Sequence, residues 1–248
     1  GASGEEAVQN AASFLFGELG AAAAIGPAGS NDSIFAFEIA KNEESPSVLI
    51  SPSATSAELT FIDGAAKSDE APGLFWRTVG SDEIQASVMA SLIRDNGETD
   101  VALLFQKGSY GQNFINALRD SLSGYGIDSV QSFDFVDTTE IGDRVDDAAA
   151  AIPEMTAVVF ISSDIDDVVE FVDQAATHVG YQETGIYLAD SASDGSFLEG
   201  TASKDADIYG TRPATPSGAV FDTFADSYLA ASGFSAQEDV YAAYTHDA

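Results

Sequence analysis

The chain has no cysteine, two histidines, one tryptophan, and nine Lys or Arg residues against 41 Asp or Glu. Without cysteine neither a disulfide framework nor a thiolate metal site can form, and the redox compartment stays open. The shortage of cations leaves a formal charge of -32 at pH 7, which repels a phosphate backbone and the anionic face of a membrane. Nucleic acid is therefore not expected as a partner. No apolar run approaches the roughly 20 residues that span a bilayer, and no charged segment followed by an apolar one opens the chain as a signal peptide would. GxGxxG, the Walker lysine and GxSxG are all missing, and two distant histidines do not suit a Ser-His-Asp arrangement. Nothing in these residues asks for catalysis.

What is present is ample material for a core: 45% of the 248 residues are hydrophobic and 10% aromatic, enough for one large domain or two lobes. An acidic surface repels itself at low ionic strength and is relieved by screening, so the composition points to a salty habitat. Gly1-Ala2-Ser3 reads as a cloning scar.

Strand and helix alternate along the chain. Apolar residues at helical spacing run from Glu5 to Leu19, with Gly20 in a C-cap position. A short strand follows at 21–26, a helix at 30–42 with cap candidates Ser30, Asn31, Asp32 and Ser33, and a strand at 47–50. The unit recurs as helix 83–95 and strand 101–105, helix 112–123 and strand 129–135, helix 141–151 and strand 157–161, and helix 165–178 and strand 185–188. Continuous apolar strands separated by amphipathic helices imply parallel βαβ units with both sheet faces covered. Breaks in pattern at 80–82 and in the Pro- and Gly-rich stretch 210–218 read as crossings between two lobes, 1–82 with 214–248 returning, and 83–213. Residues 219–231 and those from Tyr241 onward are helical again.

In open parallel sheets ligands bind outside the carboxyl ends of the strands. Three such ends carry small hydroxyls and glycines: Gly26 to Asn31, Ser51-Pro-Ser53-Ala-Thr55, and Lys107-Gly-Ser-Tyr110-Gly111. Hydroxyls beside free N–H groups at a helix start suit a carboxylate. Two further ends, Ser162-Ser163-Asp164 and Ala189-Asp190-Ser191, offer acids, and donors on one lobe with carboxylates on the other suit a zwitterion. Plainer readings stand beside these. Ser30 and Thr55 taken singly are N-caps; Ser163 with Asp166 makes a capping box with Asp164 as a first-turn acid; Tyr110 covers the core edge; Trp76 is packing; His178 is a solvated cation at a helix end and His246 a surface residue. Asp190 to Gly195 faintly resembles a calcium loop, but Ala192 and Thr201 stand where ligands are required, so no metal is expected.

The segments IGPAGSNDS, PSVLISPSATSAELT, FWRTVGSDEIQ and VALLFQKGSYGQNF resemble, in order and spacing, the type I periplasmic binding proteins, specifically the branched-chain amino-acid (Leu/Ile/Val) substrate-binding proteins of ABC transporters. The resemblance implies an α/β fold of two Rossmann-like lobes with parallel sheets joined by hinge strands, here trimmed at both ends, closing on a ligand. It implies a periplasmic or extracellular monomer, lipid-anchored or not, that hands a small amino acid or related carboxylate to a membrane permease, without a cofactor and without enzymatic activity. A sensory or regulatory module of the same fold is the alternative. By the same resemblance Ser30, Ser53 and Thr55 hold the ligand carboxylate, Tyr110 walls the pocket, and Asp190 or, one register on, Ser191 meets the ammonium. Asp164 falls where the family often has tyrosine, and as an added acid it puts a purely branched-chain ligand in doubt.

The charge carries its own test. Between roughly 0.1 and 1 M salt the screening length falls from about 10 to about 3 Å, so the melting temperature should climb steadily over that range. A flat or falling trend would remove the argument from self-repulsion.

Overall fold

A computed structural model of the chain describes residues 4–42, 44–64, 68, 71–193 and 207–248. The chain divides into two compact units, one of Gly1–Ser81 and Thr215–Ala248, the other of Asp82–Ala214.

The second unit is built on β4 (Asp100–Gln106), β5 (Ser129–Phe135), β6 (Ala157–Ile161), β7 (Gly185–Leu188) and β8 (Ile208–Gly210). They form one sheet in the order β5-β4-β6-β7-β8, every pairing parallel. All five residues of β6 are buried, as expected of a central strand covered on both faces. Alternation along β4 sorts the core: Val101, Leu103 and Phe105 face one layer, with α3 (Asp82–Asp95) and α4 (Ser109–Gly124), while Ala102 and Leu104 face the other, with α5 (Ile141–Ala151) and α6 (Ile165–Thr177). On that second face Phe135, Phe160 and Phe171 stack nearly parallel, with ring centroids 5.3 and 4.3 Å apart. Burial pushes the Tyr181 phenol upward, and it stays a donor to the Val145 carbonyl.

Helix α6 shows why sequence and structure agree so closely here. Val168, Phe171, Val172 and Ala175 lie on one helical face and are buried, and Asp164 and Asp166 place negative charge at the positive end of the helix dipole. The cap is Asp164 itself, whose Oδ1 accepts the Asp166 N–H at 3.0 Å. Ser163 donates instead to Gln106 Oε1 at 2.8 Å, so the expected Ser163–Asp166 capping box does not form. His178 also departs from expectation. It ends α6 with its side chain only 27% exposed, its Nδ1 accepting the Gly180 N–H and its Nε2 3.3 Å from Asp146, so it is a bonded cap and not a solvated helix end.

The first unit holds β1 (Ala23–Ile25), β2 (Val48–Ser51) and β3 (Phe75–Arg77), a parallel sheet in that order. Helix α1 (Gly4–Ala12) continues as a π-helical turn, Ser13–Glu18, before Gly20 takes a left-handed φ of 66°. Next comes α2 (Ser30–Ala40), and the chain returns with α7 (Ala219–Ser232) and α8 (Ala242–Asp247). The Thr78 hydroxyl donates to the Tyr244 carbonyl, tying β3 to the returning segment.

Expectation and structure part at this small sheet. Ala24, Leu49 and Phe75 are in register and face a core shared with Ala12, Phe16 and Phe37. Because α1, its π-helical turn and α2 all pack on that side, the opposite row, Ile25, Ile50 and Trp76, is left less covered. Ile25 keeps 62% of its surface exposed and Trp76 42%, so Trp76 is not the packed side chain the sequence led us to expect.

As the single tryptophan, Trp76 reports this directly. Its emission should be solvent-shifted and readily quenched by neutral acrylamide. A blue-shifted, quencher-resistant signal would mean that this face is covered.

Candidate functional site

Every candidate residue lies just past the carboxyl end of a parallel strand, where free backbone groups and helix starts collect. In the first unit two loops follow β1 and β2, and hydroxyls stitch them together. Ser51, buried, donates to the Pro27 carbonyl at 2.6 Å and accepts the Ala54 N–H at 3.0 Å. Ser53 donates to the Ala28 carbonyl at 3.0 Å, and Ser30 Oγ accepts the Ser56 N–H at 3.1 Å. These hydroxyls thus satisfy loop backbone groups, among them the N–H groups of buried Ala54 and Ser56, which could not be left unpaired in the interior.

Neither Ser30 nor Thr55 is an N-cap. Gly29 caps α2 without a side-chain bond, and Thr55 precedes a short 3-10 helix, Ala57–Phe61, whose cap residue is Ser56. Both are buried, at 5% and 3% exposure. Ser30 Oγ receives a bond and can still donate its hydrogen; the Ser53 hydrogen is committed to Ala28. Arg77, at the end of β3, clamps the same turn: its Nη1 donates to the Ala54 and Ser56 carbonyls at 3.2 and 2.9 Å, and its Nη2 to Thr60 Oγ1 at 2.6 Å. The guanidinium fork carries several N–H donors and so suits a turn that offers three acceptors.

In the second unit the loop after β4 leads into α4 through Gly108, whose φ of 149° favours glycine. Gly111 is required by space, since a Cβ there would lie 2.1 Å from the Gln106 carbonyl oxygen. This close approach seats the first turn of α4 against the end of β4 and fixes Tyr110, whose ring meets Phe114 edge-on at 6.1 Å. Helix α4 starts at Ser109, three residues before the apolar pattern predicts. Lys107 in the same loop is spent on Asp134, 2.6 Å away on neighbouring β5; their hydrogen bond raises the Lys107 pKa and lowers that of Asp134.

Tyr110 also makes a polar contact. Its hydroxyl donates to Asp190 Oδ1 at 2.8 Å, and Gln85 Nε2 approaches the same oxygen at 3.3 Å. Asp190 is 9% exposed and opens a short 3-10 turn, Asp190–Ser193, that also carries half-buried Ser191. Both of these donors are neutral groups, a phenol and an amide, and they orient the carboxylate. Asp164 stands apart from this set: it is exposed, with Oδ1 on the Asp166 N–H. Behind it lies Asp167, which the sequence did not single out. It is buried and accepts from Ser162 Oγ at 2.7 Å, Gln106 Nε2 at 3.3 Å and Thr138 Oγ1, pinning three strand-end loops to one carboxylate.

The calcium-loop reading touches Asp194, Gly195 and Thr201, which lie outside the described residues; among the described ones no three acidic or histidine side chains are grouped to hold a metal. A surface groove of about 490 Å³ lies against α4 and β5, lined by Arg119, Ser123, Asp128 and Ser132 among others, and includes none of the candidate residues. No described helix is long and apolar enough to cross a membrane.

Residues 2–248 match the family described as the receptor family ligand binding region. The chain belongs to this family. No curated protein matches it significantly in sequence. Solved structures of like fold include a leucine-binding protein from Thermotoga maritima, 18% identical with a TM-score of 0.79 over 99% of this chain and 66% of that one. An ABC transporter substrate-binding protein from Desulfitobacterium hafniense is 21% identical, with a TM-score of 0.69 over 99% and 67%. A solute-binding protein of an ABC transporter from R. palustris, solved with benzoate, is 16% identical, with a TM-score of 0.74 over 98% and 64%. The fold is thus that of the type I periplasmic binding proteins, and the chain spans about two thirds of the length of the structures it matches.

The Gly111 contact can be checked alone. Gly111→Ala should lower stability by about 1–3 kcal/mol, the usual cost of overpacking, seen as a clear fall in melting temperature. An unchanged melting temperature would mean that α4 can shift without loss and that Tyr110 is not rigidly placed.

Proposed function

We propose that this chain is a solute-binding module that captures a small amino acid or related carboxylate and delivers it to the permease of an ABC transporter, outside the cytoplasm and without catalysis. The observation that carries the reading is Asp190, a buried carboxylate at a strand end, oriented by Tyr110 and Gln85. In this reading Ser30 and Thr55, with Ser53 through its backbone, receive the ligand carboxylate, Asp190 meets its ammonium, and Ser191 lies beside it. Arg77 contributes by holding the turn that carries Ser53 and Thr55. The leucine named for one relative and the benzoate bound to another support a ligand class of small organic carboxylates. The family description as a receptor ligand-binding region favours a second reading, a sensing module of the same fold whose occupancy signals to a partner.

Calorimetry with L-leucine and benzoate tests the proposal, because only leucine carries an ammonium. Asp190→Asn should cost leucine more than tenfold in affinity, the consequence of leaving a buried cation unpaired, and cost benzoate far less. Replacing both Ser30 and Thr55 by alanine should weaken both probes. A parent protein that binds neither, nor any amino acid in a wider screen, would sink this reading.

Asp164 makes a sharper case. Its cap bond accounts for Oδ1, and asparagine caps nearly as well as aspartate. Asp164→Asn should therefore leave affinity within about twofold of the parent, under ~0.5 kcal/mol. A tenfold loss would restore Asp164 as a determinant of selectivity.

A further inference from the structure

The Gln85 side chain does two things at once. Its Nε2 carries two hydrogens, and the structure gives each an acceptor: Asp190 Oδ1 at 3.3 Å and the Thr211 carbonyl at 2.8 Å. Gln85 lies in the first turn of α3, the element with which the second unit begins, and Thr211 lies close to that unit's last residue, Ala214. One amide therefore links the acidic position to the two stretches of chain through which this unit is entered and left. The grip on Thr211 is shared with the sheet, since the Thr211 N–H donates to the Leu188 carbonyl at 3.1 Å, extending the β7–β8 ladder to a point two residues before Asp190.

Two further features make this a place where the chain can rearrange. The Gln85–Asp190 bond is the longer and weaker of the two, and Asp190 retains Tyr110 as its shorter partner on the same oxygen. Thr211 Oγ1, moreover, is buried and has no hydrogen-bond partner among the described residues. A buried hydroxyl left unsatisfied is a standing cost that a small shift of the segment can remove.

We propose that Gln85 is a positioning residue that couples the occupancy of Asp190 to the segment Ile208–Thr211, so that a ligand bearing a cationic amine tightens or releases that segment while an amine-free ligand does not. This rests on the reading of Asp190 as the ammonium acceptor. A cation drawn to Asp190 competes with Gln85 for Oδ1, and whatever geometry Gln85 then adopts is passed to the Thr211 carbonyl by the other hydrogen of the same amide. Such coupling is reciprocal: any change that the amine imposes on the segment returns as a change in affinity when the link is cut.

The test uses the chain as it stands, L-leucine and benzoate as probes, and hydrogen exchange of the backbone over 208–213. Gln85→Leu keeps the volume and removes both bonds; Tyr110→Phe removes the Tyr110–Asp190 bond and keeps both bonds of Gln85. Without ligand, Gln85→Leu should speed exchange in the segment severalfold, and Tyr110→Phe should leave it near the parent rate. With leucine the parent should show a change in exchange there that benzoate does not produce and that Gln85→Leu abolishes. Leucine affinity in Gln85→Leu should fall at least fivefold more than benzoate affinity, a ratio that a merely structural role would leave near one. Ligand-free exchange within twofold of the parent, or equal losses for both probes, would overturn the coupling. A parent that binds neither probe would instead bring down the functional reading, and the ligand-free comparison would still decide whether Gln85 holds the segment.

Discussion

Parallel pairing makes every strand of a sheet end on the same edge, and the architecture of this protein follows from that constraint. Each crossover must return along the far side, so the turns that leave the carboxyl ends gather and helix starts collect beside them. In both units the residues with chemistry to offer lie on that edge. The interior strands are almost wholly apolar, as β6 illustrates with five buried residues, and their one contribution is to set the positions at which polar loops begin.

Those loops are ordered by internal bonds. Ser51, Ser53 and Ser30 each close a bond to a neighbouring backbone group, Arg77 clamps the turn that follows, and Asp167 draws Gln106, Thr138 and Ser162 to one carboxylate. Such pre-arrangement matters for binding, because groups already held in place lose little entropy when a ligand arrives. A strand end rich in serine is a scaffold first, and only the hydroxyl hydrogens not consumed by it can act on a solute.

Most of the fold was legible in the sequence because its signals are local. Strand 129–135 and helix 141–151 coincide with the observed elements, since apolar periodicity and turn residues bracket them. The start of α4 was missed because Ser109, Tyr110 and Gly111 carry no helical periodicity; they are helical through the close approach of Gly111 to β4. The candidate residues were legible only as a set of strand ends. The bonds within each unit join residues far apart in the chain, Ser30 to Ser56 in the first and Tyr110 and Gln85 to Asp190 in the second, and no local pattern announces such pairs. The segment FWRTVGSDEIQ held both Arg77 and Gln85 in plain view. What hid them was the lack of any rule connecting a strand-end arginine or a first-turn glutamine to partners elsewhere.

A chain of charge -32 has to receive the carboxylate of its proposed ligand against its own field, and magnitudes decide whether it can. Beyond about 8 Å, charges are largely screened at physiological salt, so most of the 41 acidic residues act weakly on any one site. A hydrogen bond to a charged group contributes about 1.5–3 kcal/mol, so two or three well-placed donors outweigh that residual repulsion. The acids that matter are the near ones. In the proposed site Asp190 would add only repulsion toward a simple carboxylate; toward a zwitterion it would supply the partner of the ammonium, and the same residue would change from an obstacle to an anchor. The acidic surface and the buried Asp190 are thus separate matters, the first governing behaviour in salt and the second tilting the proposed site toward ligands that bring a positive charge with them.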